Sequence, residues 1–394
     1  MAKLTVEDLD LKDKKVLMRA DFNVPLDESL NITDDTRIRE TLPTIKYILE
    51  KGADKLILMS HLGRPDGKRV DKYSLRPVAK KLAELLDEQI DFLNDCIGTD
   101  VKSEVDNAKV RVVLLENLRY HAEEEANDEG FAKQLASLGE VFVNDAFGTA
   151  HRAHASTAGV DRFLKSAAGF LIEKEIKYLG GALEKPKAPF IVILGGAKVS
   201  DKIGVIENLL PKCDKILIGG GMAYTFLKAK GKQIGNSKLE KDKLDLAKSL
   251  LDKAASMKKE IVLPIDHIVV EAIDVKAKTE IAGDTIPEGK IAVDIGPKTI
   301  DLFKENLKSA KTIVWNGPLG IFEMEPFSKG TEEIAKYIST LLKVVSIIGG
   351  GDTAAAVAKF KLQDKMTHIS TGGGASLEFL EGKTLPGIAA LTDK

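Results

Sequence analysis

The chain has 394 residues, of which 44% are hydrophobic and 30% charged, and its formal net charge is -2. This length exceeds what one hydrophobic core usually supports, so we expect two domains, and the balanced charge argues against general nucleic-acid binding. Charged residues occupy the amino terminus and interrupt the long apolar runs, which argues against a signal peptide or a membrane span. Cys96 and Cys213 have no paired spacing, so we expect neither a disulfide framework nor a zinc site, as in a cytoplasmic protein.

Strand and helix patterns alternate through the first half of the chain. Apolar runs predict strands at Lys15–Ala20, Lys55–Met59, Val110–Leu115 and Val141–Asn144. Helical spacing predicts helices at Thr36–Lys51, despite Pro43, and at Leu75–Leu86 and Asp128–Leu138. Such alternation is typical of a parallel sheet covered by helices on both faces.

Basic side chains follow these strands or begin the first helix. They are Arg37, His61, Arg64, Arg119 and Arg152. The carboxyl ends of parallel strands share one edge of a sheet, so we expect these residues to converge. A lone arginine is usually a solvated surface residue, but four near successive strand ends favour a phosphate pocket, because guanidinium donates two parallel hydrogen bonds.

A pair of histidines raises the alternative of a metal site. His151 and His154 are three residues apart, but the chain has no HExxH motif and offers no third ligand, so a metal site is not favoured. His267 and His368 are interpreted as structural.

The middle of the chain is predicted to connect two domains. Ala167–Leu183 lacks proline and has helical apolar spacing, and two prolines follow before residue 190. The predicted boundaries are 1–170 for an N-terminal domain, 171–186 for a connecting helix and hinge, 187–381 for a C-terminal domain, and 382–394 for a tail that packs on a neighbouring surface.

The second half begins with a predicted buried strand at Phe190–Leu194, followed by Gly195–Gly196, where the backbone can approach a ligand closely. Helical spacing across Ile203–Leu210 predicts a helix whose first turns carry Lys198 and Lys202 on one face. Two cations at the positive end of a helix favour a bound polyanion, with two solvated lysines as the alternative.

Three further strand-like runs end in glycine clusters. They are Ile216–Ile218 before Gly219–Gly221, Val344–Ile348 before Gly349, Gly350, Gly351, Asp352 and Thr353, and His368–Ser370 before Thr371–Gly374. A parallel sheet with such a bare backbone edge is typical of nucleotide-binding proteins.

Two other segments of the second half are notable. Strand Thr312–Val314 leads to Trp315, interpreted as a core residue, and to Asn316–Pro318, which are binding candidates. The β-branched, turn-rich segment between Pro264 and Pro297 predicts short strands covering one edge.

Familiar phosphate motifs are mostly absent. The chain has no GxxxxGK[ST], which excludes a P-loop enzyme, and no HRD with DFG, which excludes a protein kinase. Gly349, Gly351 and Ala354 match the weaker G-x-G-x-x-A pattern, but the next strand ends in Thr371 rather than an acidic residue. A mononucleotide is therefore favoured over a dinucleotide.

Several long motifs nevertheless carry a resemblance to a known family. They are RADFNVP (19–25), SHLGRP (60–65), ENLRY (116–120), VNDAFGTAHRAHAS (143–156), GGAKVSDKI (195–203), WNGPLGIFE (315–323), GGGDTAAA (349–356) and STGGGASLEFLEG (370–382). In these motifs, and in their order from end to end, the chain resembles the phosphoglycerate kinases.

The resemblance implies an α/β fold of two Rossmann-like domains, each a mostly parallel sheet covered by helices on both faces, joined by a helix with a hinge. The tail 382–394 is then expected to pack back on the N-terminal domain. The implied reaction is reversible, Mg²⁺-dependent, in-line phosphoryl transfer between ATP and the carboxylate of 3-phosphoglycerate after domain closure, giving ADP and 1,3-bisphosphoglycerate. It forms ATP in glycolysis.

The resemblance also implies residue roles. Catalysis falls to Arg37, Lys198 and Gly373. The 3-phosphoglycerate site comprises Asp21, Phe22, Asn23, Arg37, His61, Leu62, Gly63, Arg64, Arg119 and Arg152. The ATP site comprises Lys198, Lys202, Gly220, Gly296, Asn316, Pro318, Glu323, Gly350, Gly351, Asp352 and Thr353, with Asp352 facing the magnesium. A monomer with no nucleic-acid or membrane partner is expected.

Two other functions remain as hypotheses. A non-catalytic nucleotide sensor on the same scaffold would keep the glycine clusters but lose the arginine pocket, which this chain retains. A dehydrogenase would need the ribose-binding acidic residue that is missing.

Overall fold

The computed structural model describes residues 3–394. Its strands are β1 (Lys15–Arg19), β2 (Lys55–Met59), β3 (Ile90–Phe92), β4 (Val112–Leu114), β5 (Val141–Asn144), β6 (Lys165–Ala168), β7 (Phe190–Leu194), β8 (Lys215–Ile218), β9 (Glu260–Val262), β10 (His267–Val270), β11 (Glu280–Ala282), β12 (Ile291–Ile295), β13 (Thr312–Asn316), β14 (Val345–Gly349) and β15 (His368–Ile369). Its helices are α1 (Thr36–Glu50), α2 (Arg76–Leu86), α3 (Thr99–Asn107), α4 (Ala122–Glu125), α5 (Glu129–Ala136), α6 (Phe170–Glu175), α7 (Gly181–Glu184), α8 (Ile203–Leu209), α9 (Ala223–Ala229), α10 (Leu244–Ser256), α11 (Pro297–Leu307), α12 (Lys329–Thr340), α13 (Gly351–Lys359), α14 (Gly373–Leu380) and α15 (Pro386–Ala389).

The first sheet contains six parallel strands in the order β3-β4-β2-β1-β5-β6. Successive side chains of a strand point to opposite faces. Along β1, Val16 and Met18 accordingly join one hydrophobic cluster, and Leu17 joins another. Both faces of this sheet are therefore covered, as the continuous apolar strands predict.

The second sheet contains six parallel strands in the order β15-β14-β13-β7-β8-β9. Numbered within this sheet, the order is 3-2-1-4-5-6, the doubly wound arrangement in which ligands bind where the strand order reverses. That reversal lies between β7 and β13, and every residue of these two strands is buried. The predicted α/β class with two mostly parallel sheets is confirmed.

The segment between Pro264 and Pro297 forms short strands, as predicted. They do not extend the parallel sheet but form a separate antiparallel sheet in the order β11-β10-β12. Trp315, on β13, is fully buried in the hydrophobic core, and its Nε1 donates to the Gly317 carbonyl at 2.8 Å.

The chain divides into two compact units. The first runs to Lys177 and includes Thr384–Lys394, and the second is Tyr178–Lys383. In the first unit the tail is held by backbone and side-chain bonds: Leu4 N donates to Thr392 O at 2.9 Å, and Asn144 Nδ2 donates to Gly387 O at 3.1 Å. Within residues 3–394 no helix has both the length and the apolar character needed to cross a membrane.

The prediction of one helix over Ala167–Leu183 is wrong at its start, and the segment that is helical is not one regular α-helix. Ala167 and Ala168 belong to β6, which pairs with β5, and α6 begins only after Gly169. The buried Asp145 carboxylate accepts from the amides of Leu171 at 2.8 Å and Ile172 at 3.3 Å, which fixes where the helix starts. A wide, π-helical turn then separates α6 from α7. Sheet pairing overrides the helix propensity of the two alanines.

Candidate functional site

The first group of candidate residues lies in the first unit, around the carboxyl ends of its strands. Arg37, in the first turn of α1, donates through Nη1 to Asp21 Oδ2 at 2.5 Å. The Asp21 side chain is 7% exposed and the Arg37 side chain 34% exposed, so the guanidinium is fixed on one side and open on the other. Such an arrangement leaves donors free for an anionic ligand.

Two candidates hold the loop that follows β2. Asn23 Oδ1 accepts from the Gly63 amide at 2.9 Å, and Arg119 Nη1 donates to the Gly63 carbonyl at 3.0 Å. Gly63 has φ +63°, and a Cβ there would collide with the ring of Tyr73, so this loop requires glycine. Burial lowers the pKa of Arg119 to about 10, which still leaves it charged at neutral pH.

His61 lies buried among cations. Burial, followed by the charges of Arg19, Arg119 and Arg37, lowers the pKa of His61 well below its ordinary value, so the ring is neutral. Its Nδ1 lies 3.1 Å from Arg19 Nη2, and because arginine only donates, the proton of the imidazole is on Nε2. His61 is therefore a neutral hydrogen-bond donor at this edge.

Arg19 is a residue that the sequence analysis did not single out. It is completely buried at the end of β1, and its Nε donates to Ser156 Oγ at 2.8 Å. Ser156 in turn donates through its backbone amide to Glu124 at 2.9 Å. The sequence does show a charged residue at the end of an apolar strand, but only the tertiary contacts show that Arg19 supports His61.

The remaining first-unit candidates differ in exposure. Arg152 is half-buried and its Nε donates to His151 Nε2 at 3.3 Å. Arg64 is exposed. Phe22 and Leu62 are buried in the core, so they present only backbone at this edge.

The lowered pKa values of two histidines show which cations of the first unit lie close to them. Burial, then Arg119, Arg19 and Arg152, lower the pKa of His154 to about 3. Arg119 thus acts on both buried imidazoles, Arg37 acts on that of His61 and Arg152 on that of His154, whereas Arg64 does not appear among these charges. We call the four candidate arginines of the first unit the arginine pocket: Arg37, Arg64, Arg119 and Arg152.

The second group lies in the second unit, where loops after β7, β8 and β13 meet. A Cβ on Gly195 would collide with the Pro318 carbonyl, and a Cβ on Gly317 with the Gly195 carbonyl. Gly220 has φ +64°, and a Cβ there would lie 2.7 Å from backbone atoms of Gly196. We call this meeting of backbone segments the glycine edge; its glycines permit contact between the loops themselves as well as access for a ligand.

Asn316 lies at the centre of the glycine edge. Its Oδ1 accepts from Lys202 Nζ, whose pKa is lowered by burial. Asn316 is 1% exposed, and within residues 3–394 its Nδ2 has no hydrogen-bond partner. A Cβ on Gly350 would lie 3.1 Å from that Nδ2. A buried donor without a partner at such an edge indicates a ligand acceptor.

Helix α13 begins at this edge and is not capped by a side chain. Gly350, at φ +86°, is its N-cap, and the first helical residues are Gly351, the exposed Asp352 and the buried Thr353. Thr353 Oγ1 accepts from the Gly317 amide at 2.6 Å. The free amides of the first turn favour an anion, and the exposed carboxylate offers the oxygen ligand that Mg²⁺ prefers.

The predicted helix around Lys198 is wrong. Lys198 is exposed in a loop, and α8 begins only at Ile203, with Lys202 as its N-cap. The two lysines therefore do not share a helix face. The amides of Val199 and Ser200 instead donate to Glu240, which holds these residues out of the helix.

The last candidates are more dispersed. Gly296 is the N-cap of α11 and packs against the Asp266 carboxylate, which accepts from the Thr299 amide at 2.7 Å. Glu323 is exposed, and Gly373 is the first residue of α14, with no atom within 4 Å of where a Cβ would lie.

Within residues 3–394 the close cluster of metal-ligand side chains is Asp95, Cys96 and His121, which includes neither His151 nor His154.

Comparison with known proteins gives a consistent result. A family model described as phosphoglycerate kinase matches residues 6–383. The phosphoglycerate kinases of Koribacter versatilis and Dictyoglomus turgidum are 57% and 59% identical to the chain, each over 100% of both sequences. The solved structure of phosphoglycerate kinase from Coxiella burnetii has a TM-score of 0.90 at 42% identity, and that from Pyrococcus horikoshii has 0.84 at 34%, each covering 98% of both chains.

Proposed function

The chain belongs to the phosphoglycerate kinase family and is a phosphotransferase with a carboxyl group as acceptor, and from that premise we propose a division of labour between its units. The first unit binds 3-phosphoglycerate and the second binds ATP with Mg²⁺. The phosphoryl group passes in line between them, and the glycolytic direction forms ATP. The observation that carries this proposal is the neutral His61 lying among the charges of Arg19, Arg119 and Arg37.

In the first unit, the arginine pocket holds the phosphate and carboxylate of 3-phosphoglycerate. Guanidinium groups suit both anions because each donates two parallel hydrogen bonds. His61 contributes a neutral Nε2–H donor. Asp21 and Asn23 add acceptors, and they also hold the Arg37 guanidinium and the Gly63 amide, respectively. Phe22, Leu62 and Gly63 contribute main-chain groups.

In the second unit, the glycine edge holds the nucleotide. Lys202, Asn316 Nδ2 and the first amides of α13 donate to phosphate oxygens, and Asp352 would hold the magnesium ion, which supplies charge neutralisation for the phosphates. The remaining nucleotide contacts come from Lys198, Gly220, Gly296, Pro318, Glu323, Gly350, Gly351 and Thr353.

The transfer step requires no general base, because the attacking carboxylate is ionised near neutral pH. Arg37, Lys198 and the Gly373 amide stabilise the charge that spreads over the oxygens of the transferred group. Water would compete for that group, so the two units close around the substrates before transfer.

A coupled assay with ATP, Mg²⁺ and 3-phosphoglycerate tests the function. We expect turnover that depends on all three, and in Arg152→Ala a lower turnover at low 3-phosphoglycerate concentration with ATP binding retained. The alternative, a non-catalytic nucleotide sensor, predicts ATP binding by calorimetry with no turnover in the wild-type chain.

Small-angle scattering tests closure. We expect a smaller radius of gyration with both substrates than with either alone, because each substrate is bound by a different unit. The forward scattering should give the mass of a monomer. An unchanged radius in the ternary complex would contradict closure.

A further inference from the structure

Glu240 contacts the loop that carries Lys198 through three hydrogen bonds. Its Oε2 accepts from the amides of Val199 at 2.5 Å and Ser200 at 3.3 Å, and its Oε1 accepts from Ser200 Oγ at 2.6 Å. Burial alone raises the pKa of Glu240, but the hydrogen bonds from Ser200 and Val199 outweigh it and leave the pKa below its ordinary value. The group is therefore an ionised carboxylate, and hydrogen bonds to a charged acceptor are the strong kind.

The backbone of Glu240 is held by a residue of α9. Its amide donates to Thr225 Oγ1 at 3.2 Å, and Thr225 is 1% exposed on α9. Thr225 on the buried helix α9 thus holds the backbone of Glu240, and the carboxylate of Glu240 holds the two residues that follow Lys198. On the other side of Lys198 the chain has Gly196 at φ +96°, with nothing within 4 Å of a Cβ position. Gly196 is held through its backbone, which donates to the Pro318 carbonyl at 2.9 Å and accepts from the Met222 amide at 3.0 Å. The loop is thus anchored on both sides of Lys198, and Glu240 supplies the anchor on the carboxyl-terminal side.

Lys198 has no anchor of its own. Its side chain is exposed, and within residues 3–394 it makes no hydrogen bond or ion pair. The direction of the side chain therefore depends on the backbone of the loop. A misplacement of about 1 Å in a group that acts on the reacting atoms can cost about 10²-fold in rate.

We propose that Glu240 is a positioning residue for phosphoryl transfer: its carboxylate fixes the backbone after Lys198 so that the ammonium group faces the transferred phosphoryl group. The proposal rests on the function proposed above. Glu240 acts through Lys198 and touches no substrate. The opposite role, in which the carboxylate occupies amides that nucleotide phosphate would otherwise use, makes Glu240 a competitor of ATP and predicts different kinetics.

Steady-state kinetics of the full chain separate these roles. We expect Glu240→Ala to lower kcat about tenfold, within the range for a misplaced group, while the KM values for ATP and 3-phosphoglycerate change less than threefold. Glu240→Gln keeps one acceptor oxygen and should recover part of kcat. In a Lys198→Ala background, Glu240→Ala should have no further effect, because the residue it positions is gone.

A matched control distinguishes positioning from general stability. Asp214 also binds a backbone amide through its carboxylate, accepting from Phe190 N at 2.7 Å at the amino end of β7. Asp214→Ala should lower the melting temperature and leave kcat unchanged. Hydrogen exchange at the Val199 and Ser200 amides should become faster in Glu240→Ala and Glu240→Gln and stay unchanged in Asp214→Ala.

Three results would overturn the proposal. The first is a full tenfold loss from Glu240→Ala that persists in the Lys198→Ala background. The second is a lower KM for ATP with an unchanged kcat, which identifies Glu240 as a competitor of the nucleotide. The third is unchanged amide exchange in both Glu240 variants. An inactive wild-type chain would instead contradict the proposed function, and the exchange measurement would still test the anchoring.

Discussion

The two units form their candidate anion sites by different means. In the first unit the candidate donors are side chains, namely the arginine pocket and the neutral imidazole of His61. Asp21 accepts from Arg37, Arg19 contacts His61, and Asn23 accepts from the Gly63 amide. In the second unit the donors are largely main-chain amides at the glycine edge, with Asn316 and two lysines added. The same sheet class therefore presents a candidate anion site in two ways.

The difference teaches where each site is vulnerable. Removing Arg37, Arg64 or Arg152 from the arginine pocket removes donors without removing a side-chain bond to the backbone, whereas Arg119 also holds the Gly63 carbonyl. Adding a single methyl group to the glycine edge pushes loops apart, because backbone atoms lie where the Cβ would be. Close packing cannot absorb such a group without moving its neighbours.

The largest effect is expected from substituting Lys198 and Lys202. The two variants distinguish a residue that acts in the transition state from one that binds the ground state. Lys198→Ala should lower kcat by about 10² to 10³ with little change in KM, as removing one preorganised donor does. Lys202→Ala should mainly raise the KM for ATP, because Lys202 is held against Asn316. Steady-state kinetics, with circular dichroism to check folding, decide the point. A Lys198→Ala enzyme with normal kcat would leave Arg37 and the magnesium ion as the groups that stabilise the transition state.

The next effect concerns the assignment of one substrate to each unit. Arg64→Ala or Arg152→Ala should weaken 3-phosphoglycerate binding by about 1.5 to 3 kcal/mol, the range for hydrogen bonds to charged groups, and leave ATP binding nearly unchanged. Isothermal calorimetry with each ligand measures both. Equal losses for the two ligands would contradict the division between the units.

A matched pair of glycines tests the steric character of the second site. Gly231, at φ +80°, has nothing within 4 Å of a Cβ position, so Gly231→Ala should cost only the backbone strain of about 1 to 2 kcal/mol. Gly220→Ala adds a collision with Gly196 and should cost about 1 to 3 kcal/mol more. Urea denaturation measures the difference, and ADP affinity should fall only for Gly220→Ala. Similar costs for both variants would argue against close packing at the glycine edge.

The smallest effect concerns pH. His154 has a folded pKa of about 3, below the ordinary 6.5, so the unfolded chain binds more protons and the free energy of unfolding falls as pH drops from about 6.5 toward 3. His154→Gln should make that fall shallower by up to about 1.4 kcal/mol per pH unit.

The second unit supplies the comparison for this pH effect. Burial lowers the pKa of His267 to about 4, without arginine neighbours, so His267→Gln should flatten the curve only down to about pH 4. Urea denaturation of the wild type and both variants at a series of pH values measures the curves. Identical curves for wild type and His154→Gln would contradict the folded pKa of His154.

Much of the fold was predictable because several strands are continuous apolar runs. β2, β5 and β7 begin and end at the predicted residues, since strands buried on both faces are almost continuously apolar and contrast with the polar residues around them. β3 and α3 were missed. β3 has only the three residues Ile90–Phe92, and their single apolar, polar, apolar alternation is too short to indicate a strand. The helix boundary at Phe170 was missed because Asp145, which caps it, is distant in sequence.

By itself, the sequence determined the fold class, the position of basic residues after the first-unit strands and the position of glycines after the second-unit strands, because these depend on local runs of residues and on strand order along the chain. Only the tertiary structure decided how each group is used. The contact of Arg19 with His61, the bond from Lys202 to Asn316 and the bonds from Glu240 to the Lys198 loop join residues about 40 or more positions apart. Contacts of this kind depend on how the strands and loops pack, and no local pattern in the chain records them.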